Sequence, residues 1–132
     1  MAVAENGADT RARVLVVDDQ APFRRAAKAV LAVTKGFEVV GEAESGEEAV
    51  SMVGALSPDL VLMDINMPGI NGIEATRQIT DGHPQAIVIL LSTYQADELP
   101  AGAADCGAAA YVNKEDFGPV VLRDLWAEHG PG

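Results

Sequence analysis

From Arg13 onward, short and almost wholly apolar β-branched runs alternate with longer stretches whose apolar positions recur at helical spacing. This alternation predicts an α/β fold, because a strand buried on both faces of a parallel sheet needs no polar face and its crossover to the next strand is usually helical. The clear strands are Arg13–Asp18 (RVLVVD), Asp59–Asp64 (DLVLMD) and Ala86–Ser92 (AIVILLS). Weaker ones are Phe37–Ala43 (FEVVGEA) and Ala109–Val112 (AAYV).

Between the strands, Pro22–Thr34 carries Phe23, Ala27, Val30 and Leu31 on one helical face, and Ser45 with Glu48 forms a capping box for a helix reaching Leu56. A third helix runs from about Asn71 to Ile79. The last begins near Gly118, with Pro119 in its first turn, and buries Leu122, Leu125 and Trp126. Pro100 and Gly102 interrupt Ala96–Gly107, so a short or broken helix is expected there. Five strands and five helices thus alternate strictly. The expected organisation is a flexible segment over 1–12, one domain over 13–128 and a tail over 129–132.

Composition narrows the class. The chain's 132 residues, 48% of them hydrophobic, suffice for one core and leave no room for a second domain of ordinary size. No apolar run is long enough to span a bilayer, and the opening MAVAENGADT lacks a basic start and an apolar centre; the expectation is a soluble, cytoplasmic protein without membrane contact. Cys106, the single cysteine, has no partner for a disulfide or a thiolate metal site and is expected in the core. With 9 basic and 20 acidic residues the net charge is −11, which repels nucleic acid from the whole surface. Most of that acidity reads as solubility.

A few acids need another account. Three apolar strands deliver hydrophilic groups at their carboxyl ends: Asp18 and Asp19 from the first, Asp64 from the third, Ser92 and Thr93 from the fourth. In a parallel sheet these ends share one edge, where open α/β sheets bind ligands. Three carboxylates so placed repel one another, by about 4 kcal/mol per pair at 4 Å for an effective dielectric of about 20. A hard divalent cation is the natural counter-charge, and few fixed carboxylates with open positions suit Mg²⁺. Lys114, just after the fifth strand, adds a second positive charge. A carboxylate nucleophile at Asp64, a cation site, a lysine and a hydroxyl are the parts that phosphoryl transfer requires.

Taken singly, each residue has a quieter reading. A lone Asp after a strand is usually a turn or cap residue, Ser92 a satisfied strand-end hydroxyl, and Tyr111 a half-buried aromatic. Only their joint placement points to chemistry. His83 and His129 read as surface residues without ligand-spaced partners.

At this point VLVVDD (Val14–Asp19), LVLMDINMPGINGIEATR (Leu60–Arg77), VILLSTY (Val88–Tyr94) and AAAYVNK (Ala108–Lys114) resemble the receiver domains of response regulators, over about Arg13–Trp126. The resemblance implies a flavodoxin-like, doubly wound (βα)5 fold with strand order 2-1-3-4-5. It implies that Asp64 accepts a phosphoryl group from a sensor histidine kinase, that Asp19, Asp64 and the Asn66 carbonyl bind Mg²⁺, and that Asp18 holds the ion through water. Ser92 becomes the switch hydroxyl, Lys114 the phosphoryl-binding lysine and Tyr111 the aromatic that changes rotamer. Pro68 and Gly69 match the turn after the phosphorylation site.

The wording of the motifs is most similar to receivers that precede a LuxR-like helix-turn-helix. The tail EHGPG favours a stand-alone receiver over one cut before its output domain. Three departures stand out: Glu115 follows Lys114 where proline is common, Thr93 is larger than the usual alanine or glycine, and Pro100 disturbs the fourth helix of the signalling face. Asn66 and Thr93 flank the expected path of a hydrolytic water and are read as modulators of phosphoryl lifetime.

The resulting expectation is a phosphorylation-dependent switch, not an enzyme in the ordinary sense. It assists its own phosphorylation and dephosphorylation and signals, or forms a homodimer, through its fourth helix, fifth strand and fifth helix. The rivals are the receiver part of a truncated DNA-binding regulator, a binding-only pseudo-receiver, a haloacid-dehalogenase-like phosphohydrolase and a nucleotide-binding flavodoxin-like domain. The phosphohydrolase expects its nucleophile on the first strand and a cap domain. The nucleotide binder expects a glycine-rich loop where this chain has DDQAP.

Overall fold

The computed structural model describes residues 11–94 and 98–130. Five parallel strands, β1 (Ala12–Val17), β2 (Phe37–Ala43), β3 (Leu60–Asp64), β4 (Ile87–Ser92) and β5 (Ala110–Asn113), form one sheet in the order β2-β1-β3-β4-β5. The α-helices are α1 (Ala21–Val33), α2 (Gly46–Leu56), α3 (Gly72–Gly82) and α4 (Pro119–His129), and a 3₁₀ turn spans Lys114–Asp116. The flavodoxin-like order is the one the resemblance implied.

Alternation along the strands sorts the core into two layers. Leu15, Val17, Val61, Met63, Val88 and Leu90 face α2 and α3. Val14, Val16, Leu60, Leu62, Ile89 and Leu91 face α1 and α4. Both faces of the three central strands are therefore dry, which is why those strands are apolar throughout.

Helix ends follow local chemistry. Ser45 Oγ accepts from the Glu48 N–H at 3.1 Å, but Glu48 Oε1 takes the Glu44 N–H at 2.7 Å, one residue earlier than in a reciprocal capping box. Asn71 caps α3 by accepting from the Glu74 N–H at 2.9 Å, and Pro119 opens α4. Leu122 is buried, and Trp126 meets Phe37 edge-on at 6.0 Å.

Three expectations need revision. The fourth of the five expected helices, expected to be short or broken over Ala96–Gly107, gives way to turns over 101–105, and Pro100 and Gly102 (φ +90) account for it. Ala103 and Cys106 of this connection are nevertheless buried against α3, and Cys106 sits in the core as expected. The flexible start was placed over 1–12, yet Ala12 already belongs to β1 and is 5% exposed; residues 1–10 lie outside the described residues. The tail was placed over 129–132, but His129 ends α4, while 131 and 132 lie outside the described residues. No helix among the described residues is long and apolar enough to cross a membrane.

Candidate functional site

The chain order reverses between β1 and β3, so the loops after these neighbouring strands diverge to opposite faces and leave a crevice at their carboxyl ends. That crevice holds a cleft of about 190 Å³ lined by Asp19, Gln20, Asp64, Asn66, Thr93 and Lys114. β1 ends one residue before Asp18 and β3 ends on Asp64, so sheet pairing fixes both acids at one level. Carboxylate oxygens of Asp18, Asp19 and Asp64 all lie within 4.8 Å of one another.

Lys114 reaches across from the turn after β5. Its Nζ lies 2.7 Å from Asp18 Oδ2 and 3.2 Å from Asp64 Oδ1, and 4.6 Å from the centre of the Phe23 ring. Asp18 is fully buried, with Oδ1 accepting the Gln20 N–H at 2.8 Å and Oδ2 taken by Lys114. Arg24 donates from Nη1 to the Asp18 carbonyl at 2.8 Å while its Nε bonds Glu42, so the loop of acids is held from the α1 side as well.

Electrostatics show the cost of this arrangement. Burial, followed by the Asp18 charge, pushes Asp64 up from 3.8 to about 6, against the pull of Lys114. Burial alone would lower the Lys114 pKa, but the hydrogen bond to Asp18 and the nearby Asp64 and Asp18 charges outweigh it and raise it. One ammonium among three carboxylates leaves negative charge uncompensated. An all-oxygen donor set with that deficit fits a hard divalent cation of the Mg²⁺ type. Asp18, with both oxygens already bonded to the protein, suits an outer position, and the more open Asp19 and Asp64 suit direct contact.

The remaining sequence candidates divide. Asn66 and Thr93 line the cleft with exposed side chains. Ser92 is buried, and its Oγ accepts the Tyr94 N–H at 3.2 Å. Tyr111 stands 44% exposed on β5 and does not line the cleft. Pro68 and Gly69 lie in the β3–α3 loop, where Gly69 takes φ +80. His83 is half-buried at the end of α3, and His129 lies 3.8 Å from Glu128; neither joins the site.

Sequence reasoning missed Tyr94, whose hydroxyl donates to Asn66 Oδ1 at 3.3 Å while its carbonyl accepts from Asn113 Nδ2 at 3.3 Å. It also missed Gly72, where a Cβ would lie 2.0 Å from the Asp64 carbonyl oxygen. The sequence Asn71-Gly72 showed a glycine at a helix start, but nothing local revealed what it touches.

Comparison with known proteins agrees with this geometry. The response regulator receiver domain family matches residues 14–125. The response regulator GacA of Pseudomonas viridiflava is 44% identical over 102 residues, covering 77% of this chain and 48% of that protein. The chain thus spans about half the length of the curated relatives it matches. Among solved structures, a LuxR-family two-component response regulator from Aurantimonas sp. SI85-9A1 aligns with TM-score 0.78 at 32% identity, over 86% of this chain and 81% of that one. A chain of the CheX-CheY-BeF3-Mg²⁺ complex from Borrelia burgdorferi aligns with TM-score 0.79 at 26% identity, over 90% of each. Sheet order, acidic crevice and family match converge: the chain belongs to the response regulator receiver domain family of two-component signalling.

Proposed function

We propose that the chain is a phosphorylation-dependent switch that accepts a phosphoryl group on Asp64 from a sensor histidine kinase, with Mg²⁺ as cofactor. The observation that carries this reading is the environment of Asp64: a carboxylate 4% exposed, crowded by two further acids and held 3.2 Å from a lysine ammonium. Asp19, Asp64 and the Asn66 carbonyl would hold Mg²⁺, with Asp18 acting through water, and the ion would supply positive charge to the acids and to the phosphoryl oxygens. The structural neighbour that contains BeF3 and Mg²⁺ supports that assignment.

An Asp64 oxygen attacks phosphorus, the bond from phosphorus to the donor breaks, and a mixed anhydride forms on the side chain. Lys114 is already within reach of Asp64 Oδ1 and pairs with a phosphoryl oxygen as negative charge builds. The phosphorylated side chain carries a charge near −2, which attracts the Ser92 O–H as a donor, while the Ser92 oxygen accepts the Tyr94 N–H. Drawing Ser92 and Thr93 inward vacates space for Tyr111, which lies exposed on the neighbouring strand. A swing from 1:99 to 99:1 needs about 5.5 kcal/mol, the scale of a few charge-assisted hydrogen bonds.

The altered surface comprises the connection after β4, together with β5 and α4, and pairs with a second copy or an output partner. The chain acts as a phosphoacceptor that assists its own phosphorylation and dephosphorylation, without binding nucleic acid itself. The relative DegU of Brevibacillus brevis, a transcriptional regulatory protein, favours transcription as the output.

Intact-mass measurement after acetyl phosphate and Mg²⁺, repeated with a histidine kinase, tests the proposal. A phosphoryl-sized gain in the wild type, absent from Asp64→Asn, is expected. No gain with any donor refutes it in favour of a binding-only module.

A further inference from the structure

The loop joining β3 to α3 is clamped at both ends by backbone bonds. Ile65 N–H donates to Leu91 O at 3.2 Å, and Gly72 N–H donates to Ile65 O at 2.8 Å. Its middle is held from a different element: Glu47, in the first turn of α2, accepts the Ile70 N–H on Oε2 at 3.1 Å. The approach is close on both sides. A Cβ on Gly69 would lie 2.5 Å from Glu47 Oε2, and a Cβ on Gly46 would lie 2.7 Å from Ile70 Cγ1 and 2.9 Å from Ile70 O. Glu47 is itself exposed and does not line the acidic cleft, so this carboxylate is not one of the site's own acids.

We propose that Glu47 is a positioning residue for the Asp64 site, fixing the 66–71 loop so that Asn66 is presented to the divalent cation in a preformed arrangement. The inference rests on the Mg²⁺-dependent reading given above. A loop anchored only at its ends must be ordered when the ion binds, and that ordering entropy weakens binding; a loop already anchored in its middle avoids the cost. The Glu47 charge alone would also attract a cation, so the proposal separates from a long-range field only if the hydrogen bond, and not the charge, matters. Glutamine supplies that separation, because its amide oxygen accepts the Ile70 N–H without a charge.

The test compares the full chain with Glu47→Ala and Glu47→Gln in three measurements. These are Mg²⁺ titration by calorimetry without any phosphodonor, the rate of acetyl-phosphate labelling as a function of Mg²⁺, and amide exchange at Ile70. Glu47→Ala is expected to lose Ile70 protection and to need on the order of fivefold more Mg²⁺ for half-saturation, with the rate at saturating Mg²⁺ retained. Glu47→Gln is expected to restore both. Wild-type Mg²⁺ affinity in Glu47→Ala, or a Gln variant that behaves like Ala, overturns the proposal. A wild type that neither binds Mg²⁺ nor takes up phosphoryl groups instead refutes the reading of the Asp64 pocket itself.

Discussion

The Tyr94 hydroxyl donates to Asn66 Oδ1 at 3.3 Å, so the loop after β4 and the loop after β3 are joined by side chains beside the acidic cleft. If Asp64 is the phosphoacceptor, as proposed, a water attacking phosphorus from the side opposite Asp64 would enter through the cleft that Asn66 and Thr93 line. Tyr94→Phe removes only the bond, and Thr93→Ala removes bulk from the cleft lining. Each is expected to shorten the life of the phosphorylated state, by on the order of fivefold for the loss of one hydrogen bond. Phosphate-release kinetics on labelled protein measure it; unchanged decay in both variants counts against crowding at this site.

Stability of the metal-free domain should depend on pH through Asp64. Its folded pKa, raised by burial and then by Asp18 to about 6, lies above the ordinary 3.8, so between these values the folded state binds more protons than the unfolded chain. The Asp64 contribution to stability is therefore greatest below about pH 4, falls as pH rises toward 6 and levels off above. Asp64→Asn removes this component and is expected to be more stable than wild type at pH 7 by about 3 kcal/mol in EDTA. Thermal unfolding of both proteins from pH 4 to 7.5 reads the difference, and parallel curves would contradict it. Added Mg²⁺ should narrow the gap by stabilising the wild type more.

Gly72 and Gly82 end the same helix and should respond oppositely to alanine. At Gly72 a Cβ would lie 2.0 Å from Asp64 O and 2.9 Å from Ile65 Cα, both backbone atoms that cannot swing aside. Gly72→Ala is expected to destabilise by about 3 kcal/mol or more, despite alanine's better helix propensity. At Gly82 nothing lies within 4 Å of the added Cβ, and Gly82→Ala should stabilise by about 0.5–1 kcal/mol. Urea denaturation of the pair checks both signs.

Ser57 ends α2 in the left-handed region, at φ 49 and ψ 58, and its carbonyl accepts from Arg13 Nη1 at 2.9 Å. Glycine adopts that conformation without the Cβ penalty and keeps the carbonyl in place. Ser57→Gly is therefore expected to raise stability by about 0.5–1 kcal/mol, measured as a higher denaturation midpoint at unchanged slope.

Much of the architecture was readable because burial leaves a periodic trace. The runs VLVV, LVLM and IVILL are apolar at successive positions, which only strands covered on both faces require, and each is followed by the polar group its carboxyl end presents. The Pro100 and Gly102 breaks likewise predicted trouble in the fourth crossover, where the described residues form turns in place of a helix. Strand ends were less accurate by a residue: Asp18 falls just outside β1, because it is the backbone pairing with β2 and β3 that decides where a strand stops.

By itself, then, the chain's local chemistry determined the α/β alternation, the strands that would be central, and the edge at which Asp18, Asp19, Asp64 and Lys114 would meet. Tertiary structure alone decided the pairings: Lys114 shared between Asp18 and Asp64, Arg24 on the Asp18 carbonyl, Tyr94 on Asn66, Glu47 on Ile70, and Gly72 against Asp64. The physical reason is range. Periodicity and capping act between residues a few positions apart and so are written in any short window. These contacts join residues up to 96 positions apart, and their distances exist only once five strands have fixed the relative heights of the loops that carry them.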